Sequence, residues 1–506
     1  MLGGLLLLAA PALAGENDVL CLKDGRFVEG IPMAKEENGV RLTYENGTVF
    51  VPDALILDAV IEGDTTFVPQ TDLEKERFEK GLVPFEGRWY TPEKRLRLIE
   101  QRRLERREFV DDVKKHSKWR DRRMEETKHF VFHSTVPPDV FRYLVDLMEA
   151  YFNDFAKEWR IKQPRDLGKL AVNIYADDES YYQISGAPRG AIGYFRFVEP
   201  FDLNLYYDRI DPDLTEDVLF HEANHYLQKL LEVRFKMPHF PGESLAEYYG
   251  ASHYDAETKK LETGLIQEGR LVEIQTDIDK GDMMTIERLI LTDGAYEHYT
   301  WGWSLVHFLM NHDDHEKDFK KFVMDLARGK KVKKTDLNVI GNALRTVSPE
   351  EMLASFREYL DVEEDEELRE LEREWHSYVM ENLQLVSDRG LERAAIKALE
   401  SHPPRKLRAK RLFQEAFAKG CDNPRAYHRF AMILREDRDF TGAIANWEKA
   451  IELDPLTGAY YFWMGKALVE KGQKEKGEKL MELAAELDPD DPFIDLEEIK
   501  KEAEKN

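Results

Sequence analysis

The spacing of apolar residues changes several times along the chain, and each change predicts a different kind of element. From Val19 to about Phe67, apolar and polar residues alternate between turn signals, as in the stretch that ends at Thr43-Tyr44 before Asn46-Gly47. This pattern is typical of antiparallel strands, whose side chains alternate between two faces. We therefore expect a small β-barrel or sandwich in residues 16–68.

Alternation gives way to a mixture of strand and helix patterns in residues 126–385. Lys128 to Ser134 and Leu170 to Tyr175 are predicted strands, and Asp139 to Trp159 is a predicted amphipathic helix between them. Apolar residues then follow Thr215 at helical intervals as far as Leu231, behind a capping hydroxyl and two acids. Strands thus precede and helices follow this point, which predicts an α+β domain within a multidomain chain.

An internal repeat marks the C-terminal part of the chain. Leu453-Asp454-Pro455 recurs as Leu487-Asp488-Pro489, thirty-four residues later, and this is the tetratricopeptide period. Small residues at Ala431, Ala443 and Gly465 support paired helices in close contact. The segment resembles tetratricopeptide repeats, with a third, degenerate helical pair expected at about Gly390 to Lys419, so that residues 386–506 form a helical array. Such an array implies a protein partner, or a cap on the domain before it.

Composition limits the classes of partner. A chain of 506 residues that is 42 % hydrophobic should form several domains. Lys94 to Arg123 is rich in Lys and Arg, but acids are interleaved and the whole chain carries a net charge of −26. A solvated helical connector in residues 69–125 is therefore favoured over a nucleic-acid-binding arm, and no nucleic-acid partner is expected.

The N-terminus carries a targeting pattern. Residues Leu2 to Ala14 form a short apolar run that ends in Ala12-Leu13-Ala14, a small-residue cleavage signature. The run is too short to span a bilayer as a helix. It predicts a signal peptide in residues 1–14, export to the periplasm or the extracellular space, and no transmembrane span. A buried N-terminal strand or helix is the alternative.

The chemistry of the chain centres on His221-Glu222-Ala223-Asn224-His225, which has the H-E-x-x-H form. Residues four apart share one face of a helix, so both imidazoles can reach one zinc ion while Glu222 stays free to handle a water proton. Two cysteines far apart supply no metal cluster, so the ligands must be His and Glu. The alternative is a helix that carries two histidines by chance.

A third ligand is suggested by the segment Phe240 to Tyr249, which resembles the W-L-N-E-G-F-A-E-Y motif of the gluzincin metallopeptidases. The resemblance covers about half the chain and is to the peptidase MA-like group, related to the aminopeptidase and thermolysin branch. It implies that Glu243 binds zinc and that Glu247 holds the first histidine, while Ser244 departs from the family glycine. An ordinary solvated pair of acids one helical turn apart is the alternative.

The same resemblance implies an oxyanion donor and a substrate strand. Tyr299 and Gly302 keep the spacing of the family's Y-E-K-G motif, and Tyr296 and His298 are competing candidates for the oxyanion donor. The alternative is that Tyr299 is an ordinary aromatic residue of the core. The family's G-x-M-E-N strand corresponds to the predicted substrate-binding residues, but glycine replaces the glutamate that grips a free amino terminus. These residues are Gly190, Ala191, Ile192 and Gly193. An endopeptidase, or an enzyme that anchors its substrate elsewhere, therefore fits better than an aminopeptidase.

Together these features predict an exported peptidase with one Zn²⁺, in which Glu222 passes a proton from a zinc-activated water to the leaving amine. Two alternatives remain open. The chain can be a non-catalytic scaffold that binds proteins through its repeats, or a zinc hydrolase that acts on a non-peptide bond.

Overall fold

The computed structural model describes residues 18–61, 69, 71–164, 167–209, 211–339, 341–383, 387–400 and 404–487. The predicted signal peptide in residues 1–14 lies outside this range, so export stays a prediction. The chain divides into two compact units, one of Met1–Val110 with Asp422–Asn506 and one of Asp111–Cys421. None of the described helices is long and apolar enough to cross a membrane.

The first unit begins with six short strands, as the alternating pattern predicts. They are β1 Val19–Leu22, β2 Phe27–Glu29, β3 Met33–Glu36, β4 Gly39–Thr43, β5 Thr48–Pro52 and β6 Ile56–Val60. The turn signal at Asn46-Gly47 is confirmed, because this turn joins the antiparallel strands β4 and β5. In the described residues the strands form two three-stranded antiparallel sheets, ordered β2-β1-β6 and β3-β4-β5. A closed barrel is therefore wrong, since no hydrogen-bonded strand pairing joins one sheet to the other.

The charged segment that follows contains more than a helix. Its elements are α1 Asp72–Glu79, β7 Val83–Phe85, β8 Arg88–Tyr90 and α2 Pro92–His116. Helix α2 is largely exposed, and Ile99 is its buried residue, packed with Val19, Cys21 and Phe85. Its Lys and Arg side chains form ion pairs with acids, as in Arg103 with Glu29. This agrees with a solvated helix, whereas the β7–β8 hairpin was not predicted.

The second unit is built around one five-stranded sheet. In chain order its first elements are β9 Arg123–Glu126, β10 Phe130–Ser134, α3 Pro138–Glu158, β11 Leu170–Tyr175, α4 Asp178–Ser185, β12 Gly193–Phe195 and β13 Asp202–Tyr206. The strand order is β12-β13-β11-β10-β9, with parallel pairs in the centre and antiparallel pairs at both edges. The predicted strand at Leu170 to Tyr175 and the predicted helix after Asp139 are confirmed.

Helices then follow the sheet, interrupted by two hairpins that the sequence pattern did not predict. The elements are α5 Pro212–Lys229, α6 His239–Gly250, β14 His253–Asp255, β15 Lys260–Glu262, α7 Glu268–Asp279, α8 Ile286–Leu291, α9 Ala295–Glu297, a π-helix at His298–Gly302, α10 Trp303–Met310, α11 Glu316–Arg328, β16 Lys334–Val339, β17 Asn342–Val347, α12 Pro349–Tyr359, α13 Asp365–Asn382, α14 Asp388–Glu400 and α15 Lys406–Ala418. One continuous apolar core joins the sheet, α3, α5 and α10.

The C-terminal helices of the first unit form two hairpins: α16 Pro424–Glu436, α17 Phe440–Leu453, α18 Gly458–Glu470 and α19 Lys474–Leu487. A Cβ atom on Gly465 would lie 2.7 Å from the Gly477 carbonyl oxygen. Helices α18 and α19 can therefore approach this closely only because both positions are glycine. The apolar face of this pair shares a core with the N-terminal strands. The helical pair expected at Gly390 to Lys419 is present as α14 and α15, within the second unit.

Candidate metal centre

Helix α5 carries the H-E-x-x-H residues and is fixed in place by two buried amides. Asn224 is fully buried and donates to the Tyr151 hydroxyl of α3 at 2.8 Å. Gln228, one turn later, donates to the Asn224 side chain at 2.7 Å and to the Gly242 carbonyl at 2.8 Å. Buried amides need such partners, and these bonds set the rotation of α5. They also hold the start of α6, where Glu243 follows Gly242.

Three predicted ligands converge on one point. His221 and His225 turn their Nε2 atoms toward Glu243, whose Oε2 lies 3.4 Å from the first and 3.3 Å from the second. All three donor atoms lie within 4.8 Å of one another. A tetrahedral zinc ion with bonds of about 2.1 Å separates its ligand atoms by about 3.4 Å. The residues present therefore fit a zinc ion, with two imidazoles and one carboxylate as its protein ligands.

Glu247 lies behind the first histidine. Its Oε1 is 3.4 Å from His221 Nδ1, which leaves Nε2 of the same ring directed at the site. Burial opposes a charge on His221, but the carboxylates of Glu243 and Glu247 outweigh burial and raise the pKa of this imidazole to about 10. Burial alone would raise the pKa of Glu247. Arg270 and the other cationic group near Glu247 instead hold this pKa well below its usual range.

Glu222 faces the edge strand. Its Oε2 accepts a hydrogen bond of 2.8 Å from the Phe195 backbone N–H of β12. This contact joins the H-E-x-x-H helix to the strand that the sequence predicts to bind substrate. One carboxylate oxygen is thus held by the strand, next to both histidines.

The four predicted substrate-binding residues do not form one strand. Strand β12 starts at Gly193, whereas Gly190, Ala191 and Ile192 lie in the turn before it. A Cβ atom on Gly193 would lie 2.7 Å from Val218 Cγ1 of α5 and 3.1 Å from Leu205 Cβ. The helix therefore packs so closely on the strand here that only glycine fits. A glutamate cannot occupy this position without moving α5.

Tyr299 is the one of the three candidate oxyanion donors that lies beside the ligands. Its ring centroid is 5.9 Å from that of His221. Burial raises the pKa of the Tyr299 hydroxyl above its usual range, and Glu243 and Glu247 add to the effect. The Tyr299 hydroxyl has no hydrogen-bond partner among the described residues, so it is available to a ligand.

The two competitors are engaged elsewhere. The Tyr296 hydroxyl donates to Asp277 Oδ2 at 3.2 Å, and His298 Nε2 lies 3.0 Å from the Leu289 carbonyl oxygen, to which it can donate. Gly302, which ends the π-helix, allows the close approach of Ser244 of α6, because a Cβ atom at Gly302 would overlap Ser244 Oγ.

Two residues that hold the site were missed in the sequence. Arg270 of α7 donates to both oxygens of Glu247, at 2.8 and 3.0 Å, and Gln228 connects α5 to α6. A lone arginine between apolar positions, as in Gly269-Arg270-Leu271, was the available signal for Arg270. Nothing in the spacing says which acid it meets.

Comparison with known proteins supports the repeats. Residues 424–455 and 458–491 match the family model described as tetratricopeptide repeat, which confirms the C-terminal repeats over α16 to α19. The match begins after α15 and includes residues 488–491, which lie beyond the described part of the chain. No curated protein matches the chain. These comparisons give no support to the resemblance with gluzincin peptidases, which stays a prediction.

Among solved structures, the crystal structure of MamA protein is similar to this chain at 16 % sequence identity. The alignment covers 44 % of this chain and 92 % of that chain, with a TM-score of 0.21. A TM-score this low carries no argument about the fold.

Proposed function

We propose that this chain is a zinc-dependent hydrolase of peptide bonds, with His221, His225 and Glu243 as the metal ligands. The observation that carries the proposal is the spacing of their donor atoms, 3.3 and 3.4 Å, which matches the edges of a zinc tetrahedron. Three protein ligands leave a fourth position for water and substrate, as catalytic rather than structural zinc sites require.

When bound, zinc would supply Lewis-acid polarisation of a water molecule and of the substrate carbonyl. Glu222 would take the proton from that water at its Oε1 and pass it to the leaving amine, while the Phe195 N–H keeps Oε2 in position. The Tyr299 hydroxyl would donate to the carbonyl oxygen as negative charge develops on it. Glu247 would keep the His221 ring in the tautomer that presents Nε2.

The substrate would bind beside the free edge of β12. In the described residues no strand pairs with the other edge of β12, whose Phe195 N–H is bonded to Glu222. The remaining backbone groups of this edge would pair with an extended peptide. Gly193 supports cleavage that needs no free amino terminus, since the contact with Val218 keeps a carboxylate side chain out of the position where aminopeptidases carry one. We therefore propose an enzyme other than a strict aminopeptidase.

The test uses the full chain with and without Glu222→Gln. Zinc content is measured by elemental analysis, and cleavage is measured on casein and on a library of peptides with free and blocked amino termini. We expect about one zinc per chain in both proteins and a loss of cleavage in Glu222→Gln of at least about 100-fold. Asp213→Asn, an exposed acid at the start of the same helix, is the matched control and should retain cleavage.

Cleavage that survives Glu222→Gln would contradict the proposal. One zinc per chain without cleavage of any peptide would instead favour the alternative of a hydrolase acting on a non-peptide bond. Peptides with blocked amino termini should be cleaved as efficiently as peptides with free amino termini. A strict need for a free amino terminus would contradict the proposal that Gly193 marks an enzyme other than an aminopeptidase.

A second candidate function is protein binding, and the match to tetratricopeptide repeats favours it. Arrays of this kind bind peptides or partner proteins on the concave face of their stacked hairpins. The first helices of the two repeats carry a charged and aromatic patch, in which the Arg435 guanidinium lies 5.1 Å from the Trp463 ring and Lys466 Nζ lies 5.2 Å from it. Arg435 also pairs with Glu470 there. Protein binding by the repeats can accompany hydrolysis or occur without it.

Affinity capture separates the two possibilities when it uses the full chain. Residues 386–506 alone would expose Tyr461, Phe462 and Leu483, which pack on the N-terminal strands. A protein captured equally by wild type and Glu222→Gln, but lost on Arg435→Glu with Lys466→Glu, favours the scaffold role. A protein retained only by Glu222→Gln and degraded by wild type is a substrate.

A further inference from the structure

Arg270 is a buried cation that takes no part in the proton transfers of the proposed hydrolysis. It lies on α7 beside Leu271, which is fully buried, and its own side chain is 13 % exposed. Burying a guanidinium is unfavourable unless it is paired with acids and hydrogen bonded. Arg270 meets this need with two carboxylates, those of Glu247 and Glu273.

The contact with Glu247 has a geometry that fixes direction as well as charge. Arg270 Nη2 donates to Oε1 at 2.8 Å, and Nε donates to Oε2 at 3.0 Å. Two parallel hydrogen bonds of this kind fix the plane of a carboxylate, which a single bond does not. The same Oε1 lies 3.4 Å from His221 Nδ1, so the plane that Arg270 sets is the plane that faces the ligand imidazole.

The same guanidinium also touches the tyrosine of the site. Its carbon atom lies 5.0 Å from the centroid of the Tyr299 ring, within the range of cation–π attraction. Arg270 therefore contacts, with one rigid planar group, the acid behind His221 and the ring that carries the candidate oxyanion donor. A lysine could supply the charge, but neither the paired hydrogen bonds nor the stacked plane.

A second arginine completes the charge balance around α7. Glu273 Oε2 lies 3.5 Å from Arg270 Nη1, and its Oε1 lies 3.9 Å from Arg408 Nη2 of α15. Glu273 therefore faces two arginines, and Arg270 faces two acids. Because Glu273 occupies the third nitrogen of Arg270, the guanidinium cannot rotate away from Glu247 without losing a partner.

We propose that Arg270 is the positioning residue of the metal centre, because it orients His221 through Glu247 and holds the Tyr299 ring beside the ligands. The inference rests on the proposed function, since it assumes that His221 binds zinc. It adds a residue outside the H-E-x-x-H and Glu243 motifs on which metal affinity depends. It also assigns α7 to the metal centre.

The experiment measures zinc affinity by competition with a chelator, and the melting temperature of the zinc-free protein, for full-length variants. Arg270→Gln should weaken zinc binding by about 10- to 100-fold, as expected when an outer contact of a ligand histidine is lost. Arg270→Lys should recover part of that affinity, while its kcat stays below that of wild type at similar KM.

Arg393→Gln is the matched control. It removes another arginine–carboxylate pair, with Asp217 on the ligand helix α5, whose side chains are 22 % and 15 % exposed. Among the contacts of the described residues, Arg393 lies against neither Glu247 nor Tyr299. We expect its zinc affinity to stay within about threefold of wild type even if its melting temperature falls.

The outcomes separate the two proposals. Zinc binding of wild-type strength in Arg270→Gln, or an equal loss in Arg393→Gln, would overturn the role of Arg270 and leave the metal centre intact. Failure of the wild-type protein to bind zinc would overturn both. If Arg270→Gln does not fold, Arg270→Lys decides alone, because full affinity and full kcat in that variant would contradict a need for the planar group.

Discussion

The proposed metal centre and the tetratricopeptide repeats are held together by different kinds of contact. Around His221 the specifying contacts are polar and buried, such as Gln228 with Gly242 and Arg270 with Glu247. In α18 and α19 they are apolar or simply close, such as Gly465 against Gly477 and Leu483 against the N-terminal strands. The small and apolar residues that allow close packing recur at a fixed spacing along the sequence. The residues of the polar site occur only once.

This difference explains why comparison recognises one region and not the other. A family model detects many weakly informative positions at a fixed spacing, which the repeats supply. A metal centre depends on a few atoms brought together from α5, α6 and α7, so its support comes from geometry. The two regions should also respond differently to substitution, one in zinc affinity and the other in stability.

The largest effect is expected at a metal ligand. His225→Ala removes one of three protein donors and should weaken zinc binding by more than about 1000-fold, beyond the loss caused by an outer contact. His253→Ala, which changes an exposed histidine of the same unit, is the control and should bind zinc normally. Chelator competition measures both, and tight zinc binding by His225→Ala would remove this histidine from the site.

The next effect lies in the other region. Leu483 is 3 % exposed and packs on the turn at Gly47, so Leu483→Ala should lower the free energy of unfolding by about 2–4 kcal/mol. Leu407→Ala changes a leucine that is 84 % exposed, and it should shift the free energy of unfolding by less than about 0.5 kcal/mol. Denaturant unfolding measures both. A weakened zinc affinity in Leu483→Ala would show that the two regions do not respond separately.

Zinc affinity should also depend on pH. In the zinc-free protein the pKa of His221 is raised to about 10, so below that pH a proton must leave before the imidazole can bind metal. Lower pH therefore weakens binding, and affinity should rise about tenfold per unit from pH 6.5 to 8. Titration calorimetry in buffers of different ionisation enthalpy should count about one proton released. An affinity independent of pH over this range would contradict the contacts of His221 with Glu243 and Glu247.

The smallest effect is expected at Gln228. Gln228→Met removes the hydrogen bond to the Gly242 carbonyl beside Glu243, and should weaken zinc binding by less than about tenfold. Gln183→Met, at an exposed glutamine bonded to Glu179, should leave zinc binding unchanged. If Gln228→Met costs as much affinity as Arg270→Gln, the order of importance proposed for the two contacts is wrong.

The sequence predicted the elements and the ligand candidates better than their surroundings. The helix that carries His221 and His225, and the position of Glu243 near them, follow from local spacing, because residues four apart share a helix face. Arg270 could not be assigned in the same way, since its acid lies twenty-three residues earlier on another helix. The barrel was wrong for a related reason: alternation predicts strands but not which strands pair.

The sequence pattern also could not predict which part of the molecule each helical pair packs against. Helices α14 and α15 have the lengths and small residues of a repeat, yet Arg393 and Arg408 join them to acids of α5 and α7. Helical periodicity predicts an apolar stripe and says nothing about which neighbour covers it.

The most direct test of the metal centre is anomalous diffraction at the zinc edge from crystals of the zinc-loaded full-length protein. We expect one strong peak about 2.0–2.2 Å from His221 Nε2, His225 Nε2 and a carboxylate oxygen of Glu243. A peak bound by other residues, or no peak between these three side chains, would contradict it.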